Sequence, residues 1–87
     1  MAQVRLPGNL VALFPGLPRR LEVDGASVRE VLAGLEARVA GVEDRVLAAG
    51  PAIREHLRVF VDGDLADLDT PVGPASEVLL LLAISGG

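Results

Sequence analysis

Val78-Leu79-Leu80-Leu81-Leu82-Ala83-Ile84 is an unbroken apolar run, followed by Ser85-Gly86-Gly87 at the end of the sequence. Its seven residues have the length of a strand and fall far short of the roughly 20 that span a bilayer. A strand apolar on both faces is usually central and often parallel to a neighbour. Just before it, Leu57 to Val61 alternates, with Leu57, Val59 and Val61 on one face and Arg58 and Phe60 on the other. Asp62-Gly63 is the strongest hairpin signal in the chain. Asp64 to Leu68 then returns as a short edge strand whose acidic residues discourage further pairing. At the other end, Ala2 to Leu6 reads as a strand, with Val4 and Leu6 opposite in phase to Gln3 and Arg5. Pro7-Gly8-Asn9 has turn chemistry, Leu10 to Phe14 is a short apolar connection, and Pro15 to Pro18 breaks it. Arg20 to Val23 alternates as a second, half-buried strand.

Between these strands lies one clear helix. Ser27-Val28-Arg29-Glu30 fits a capping box, in which a Ser hydroxyl and a Glu carboxylate satisfy orphan backbone donors. Val28, Val31, Leu32, Leu35 and Val39 recur at helical spacing. Gly41 is a plausible stop, so the helix is predicted from Ser27 to Ala40. The stretch from Val42 to His56 stays open: Val42, Val46 and Leu47 allow one or two helical turns, and Pro51 allows another to start. Whether this stretch covers the free face of the sheet is not fixed by its pattern. The order strand, strand, helix, strand, short strand, strand predicts an α+β fold, with one main helix across one face of a mixed sheet. The first and last strands should pair in parallel at the centre. That is the β-grasp, or ubiquitin-like, arrangement, expected over residues 1–84, with residues 85–87 as a flexible tail.

Composition excludes much chemistry. At 87 residues a single small domain is expected, with little room for a deep pocket. There is no cysteine and one histidine, so disulfides, thiolate chemistry and histidine-rich metal sites are out. All eight basic residues are arginine, which removes lysine Schiff-base chemistry. A net charge of −4 without a basic tract argues against nucleic acid. No membrane span or secretory signal is read, so a cytoplasmic location is expected. His56 beside Glu55 lacks the partners of a triad and reads as a surface residue. Asp62, Asp64, Asp67 and Asp69 resemble the opening of a calcium loop but lack its glycine and closing glutamate. Leu10 to Pro18 holds no phosphate-binding pattern. The chain is expected to bind no metal and no cofactor itself.

The tail is the exception. A Gly-Gly end without Cβ atoms takes any φ and can thread a narrow channel into another protein's site. Its reactive group is the terminal carboxylate, ionised and inert until adenylation by ATP makes it a mixed anhydride.

The chain resembles the MoaD/ThiS ubiquitin-like sulfur carriers, which include the small subunit of molybdopterin synthase. Val59-Phe60-Val61-Asp62-Gly63 resembles the family's strand and turn, with Asp62 in place of the usual Asn. Thr70-Pro71-Val72 resembles its Thr-Pro segment, and Ala83-Ile84-Ser85-Gly86-Gly87 its terminus, with Leu82 where proline is typical. Ala75-Ser76-Glu77-Val78 departs from the usual acidic turn. The resemblance implies a substrate protein rather than a self-sufficient enzyme. A ubiquitin-activating-type adenylating enzyme would use ATP on Gly87, a sulfur donor system would convert it to a thiocarboxylate, and Gly86 and Ser85 would give access. Molybdopterin synthase's large subunit is the expected acceptor, with thiamine, cysteine or tRNA thiolation as alternatives. Two further readings are a ubiquitin-like protein modifier and an inert β-grasp interaction module.

Two-residue alternation turns Val78, Leu80 and Leu82 towards the helix, and Leu79 and Leu81 to the open face. Phe60 and Leu65 should join them there. In the family, positions matching Leu65 and Leu81 lie in the apolar patch that docks the adenylating enzyme and the synthase large subunit.

Overall fold

The computed structural model describes residues 1–82. Five strands form one sheet in the order β2-β1-β7-β5-β6: β1 (Ala2–Arg5), β2 (Arg20–Val23), β5 (Leu57–Val61), β6 (Asp64–Ala66) and β7 (Glu77–Leu82). Central β7 pairs in parallel with β1 and antiparallel with β5. Helix α2 (Val28–Arg38) buries Val28, Val31, Leu32 and Leu35, and these residues share one core with Val4, Val59, Val78 and Leu80. This is the β-grasp fold. Ala83 to Gly87, including the last two residues of the predicted strand and the Ser85-Gly86-Gly87 tail, lies outside the described residues.

The hairpin between β5 and β6 is the two-residue turn expected at Asp62-Gly63, with Val61 paired to Asp64. Both turn residues have positive φ, 51° and 89°. Asn or Asp followed by Gly adopts that conformation at the lowest steric cost. Asp62 also ties the turn to β7, because its Oδ1 accepts from the Glu77 N–H at 2.9 Å. The return strand is shorter than expected, ending at Ala66, and Leu68 is buried beyond it.

Helix α2 is capped as its sequence predicts at one end only. Ser27 Oγ accepts from the Glu30 N–H at 3.2 Å. The Glu30 carboxylate takes the Ala26 N–H rather than that of Ser27. The helix ends at Arg38, two residues before the expected Ala40, because Val39 adopts extended backbone (φ −138°, ψ 107°). Gly34 lies against β2: a Cβ there would sit 2.5 Å from Val23 Cγ1. Alanine in a helix interior normally gains about 1 kcal/mol over glycine. Here Val23 is buried and stiff, and overpacking costs about 1–3 kcal/mol. Gly34→Ala is therefore expected to lower the melting temperature. Combining it with Val23→Ala should cost less than the sum of the two single changes.

Four short elements fill the stretches whose pattern assigns no definite element, and the helix that begins at Val42 is one of the turns that pattern allows. The first connection contains a short helix, α1 (Gly8–Val11), whose Leu10 reaches the core. Residues 42–53 form α3 (Val42–Val46) and a two-strand hairpin, β3 (Leu47–Ala48) and β4 (Ala52–Ile53), turned at a cis Gly50–Pro51 bond. Pro51 thus sits in a hairpin turn, not at a helix start. Val42 and Val46 are fully buried in the core beside α2. The segment packs on the helix side and leaves the other sheet face open.

Glu36 fastens the α2–α3 junction. Its Oε2 accepts from the Gly41 N–H at 2.8 Å and its Oε1 from the Glu43 N–H at 2.9 Å. These two donors hold its carboxyl below the ordinary value of 4.5. A lowered folded-state pKa contributes stability that is present above the ordinary value and lost as pH falls through the lowered one. Thermal melts between about pH 3 and pH 6 should therefore fall less steeply at the acid end for Glu36→Gln than for the parent chain.

Candidate docking face

The pleat of β7 divides its side chains. Val78 and Leu80 are fully buried against α2, Leu79 is half-buried on the opposite face, and Leu81 is 42% exposed there. Cross-strand register then assembles a row. Phe60 of β5 sits opposite both Leu79 of β7 and Leu65 of β6. Leu65 is 66% exposed. The four apolar residues singled out from the sequence therefore share the open face, as a band from edge strand β6 to the centre. Leu81 lies one pleat further on, towards the point where the chain leaves β7.

The same register brings arginines that sequence reading did not assign to the site. Arg5 of β1 lies opposite Leu79 on one side and Arg20 of β2 on the other, and Arg58 of β5 lies opposite Leu81. All three are exposed. The alternation of Arg5 and Arg58 already placed them away from the core. What the sequence withheld was which strands lie side by side. A groove of about 460 Å³ runs between Arg5, Arg19, Arg20 and the leucines Leu79 and Leu81. A smaller hollow of about 330 Å³ lies between Arg5, Phe60, Glu77 and Leu81.

The remaining candidates are structural. His56 and Glu55 are exposed. Asp67 Oδ1 accepts from the Asp69 N–H and the Thr70 hydroxyl within the loop, and Asp69 pairs with Arg29 of α2 at 3.0 Å. Among the described residues no three potential metal ligands converge. A broad hollow of about 510 Å³ between the β3–β4 hairpin and β6 is bordered by Arg29, Ile53, Leu57 and Asp69, without a nucleophile beside a base. No helix among the described residues is long and apolar enough to cross a membrane.

A model of the ThiS family matches residues 4–87, nearly the whole sequence and through both terminal glycines. The chain belongs to the ThiS family. ThiS-family chains are ubiquitin-like sulfur carriers and modifiers. The fold is shared with a chain of the Amycolatopsis orientalis BexX/CysO complex, at TM-score 0.87 and 23% identity over 100% of both chains. It is shared with Mycobacterium tuberculosis CysO at TM-score 0.85 and 20% identity, over 97% of this chain and 100% of that one. SAMP1 of Haloferax volcanii, a small archaeal modifier protein, is 27% identical at TM-score 0.77, over 99% and 98% of the two chains. No curated protein sequence matches the chain.

Proposed function

We propose that the chain is a sulfur carrier whose terminal Gly87 is adenylated at the expense of ATP by a separate enzyme and then converted to a thiocarboxylate. The reading is supported chiefly by the family match running through Gly86-Gly87. The open face, with Leu81 exposed near the end of β7, is the surface on which such an enzyme would dock. The catalytic machinery belongs to the partners, which is consistent with a chain without cysteine or lysine. The carrier would supply Gly87 as the reacting group, Gly86 and Ser85 as the slender access, and Leu81, Leu79, Phe60 and Leu65 as the docking band. A molybdopterin synthase large subunit is one acceptor. The neighbours named above are CysO and SAMP1 chains, and they lend it no preference over thiamine, cysteine or tRNA thiolation.

A second reading, a protein modifier joined through Gly87 to lysines of target proteins, is favoured by the 27% identity to SAMP1. Both readings need the same activation. Deleting Gly87 should abolish ATP–pyrophosphate exchange by the adenylating enzyme and leave the melting temperature unchanged. Exchange that persists without Gly87 would rule out both. Covalent adducts on target lysines, with no sulfur on the free carrier, would favour the modifier.

A further inference from the structure

Three of the eight arginines, Arg5, Arg20 and Arg58, are exposed at one end of the open face of a chain whose net charge is −4, and Arg58 Nη1 donates to the Glu55 and Leu57 carbonyls. Arg5 and Arg20 are directly opposite on adjacent strands. Like charges in that position repel and are unfavourable in the free domain. The sole ion pair among the described residues, Arg29–Asp69, lies elsewhere. The other end of the face is acidic: Glu77 and Glu22 flank Gln3 in register, and the Asp62–Asp64 turn lies beside Glu77. Apolar Leu79 and Leu81 lie within the basic end.

We infer that this face docks a protein surface that sets carboxylates around an apolar pocket, the carboxylates meeting Arg5 and Arg20 while the pocket takes Leu81. A small anion has no use for the leucines, and a polyanion would meet repulsion from Glu22, Glu77 and Asp64. Because the face is basic at one end and acidic at the other, the charges also fix the orientation of docking, which is the main contribution of complementary charge to an interface. The inference rests on the carrier reading, since the partner it describes is the adenylating enzyme.

The test measures charging of the full chain by that enzyme, as kcat/KM for ATP–pyrophosphate exchange across a range of NaCl concentrations. Electrostatic steering changes association rates by about 10- to 1000-fold. Arg5→Glu combined with Arg20→Glu should lower kcat/KM at least tenfold through KM, while Arg5→Lys with Arg20→Lys retains most of it. Arg45→Glu, on the exposed side of α3, should have no effect. The parent rate should fall with salt more steeply than that of the double glutamate variant. A charged parent chain with an equally well charged glutamate variant overturns this inference alone, whereas an uncharged parent overturns the carrier reading with it. Saturable binding of inorganic phosphate at Arg5 and Arg20, or a dimer broken by the glutamate changes, would assign the cluster to a small anion or a second copy and overturn it as well.

Discussion

Leu80→Ala is expected to destabilise the domain by about 2–5 kcal/mol. Leu80 is fully buried on β7, opposite Val59 of β5, and belongs to the core that α2 closes. Central β7 holds neighbours on both sides, so the surroundings cannot collapse into the space that a lost isobutyl group leaves. Small domains have only about 5–15 kcal/mol in total, and each kcal/mol shifts the melting temperature of a domain this size by about 4–8 °C. A drop of 10 °C or more in a thermal melt is the expected reading. A change within a few degrees would mean that the core is not centred on β7.

The neighbouring position should behave in the opposite way. Leu81→Glu is expected to weaken binding of the adenylating enzyme by about 2 kcal/mol or more, roughly thirtyfold in Kd. Leu81 points away from α2, so glutamate there stays in water and stands opposite Arg58. A surface change of this kind normally shifts stability by no more than about 0.5 kcal/mol. In the complex it loses an apolar anchor and adds a negative charge where the partner presents carboxylates. Calorimetric titration and a thermal melt of the same variant decide the matter. A large fall in melting temperature with unchanged binding would show that Leu81 is a core residue and that the docking face lies elsewhere.

These two adjacent leucines also show what the sequence could reveal. A run of leucines has no internal phase, so Val78 to Leu82 alone cannot say which residues face the helix. The phase read from two-residue alternation is the one the structure shows, and Glu77, the polar residue that starts β7, lies exposed on the open side. Hairpin, helix start and parallel pairing of the first and last strands were legible because each rests on local chemistry: Asp62-Gly63 with positive φ, Ser27 as a cap, and a strand apolar on both faces. The segment from Val42 to Ile53 was legible only as a stretch that allows a helical turn after Gly41, and its hairpin was not read at all. Its helix and strands are too short to carry a period, and they are held by tertiary contacts, Val42 and Val46 in the core and Glu36 across the α2–α3 junction.

The candidate site divides in the same way. Leu79, Leu81, Phe60 and Leu65 could be gathered from alternation and the hairpin alone. Arg5 and Arg20 could not, because they are 15 residues apart in sequence and meet only once β1 is placed between β2 and β7. Charge counting hid them as well, since a net charge of −4 conceals a basic end on one face.

The central claim is that Gly87 carries sulfur, and intact mass spectrometry tests it most directly. The full chain is incubated with the adenylating enzyme, ATP and a sulfur donor system, using an enzyme shown to be active on a related carrier. The account predicts a gain equal to the mass of sulfur minus that of oxygen, located at Gly87 by fragmentation and absent when ATP is withheld. A chain whose mass stays unchanged under those conditions would contradict it.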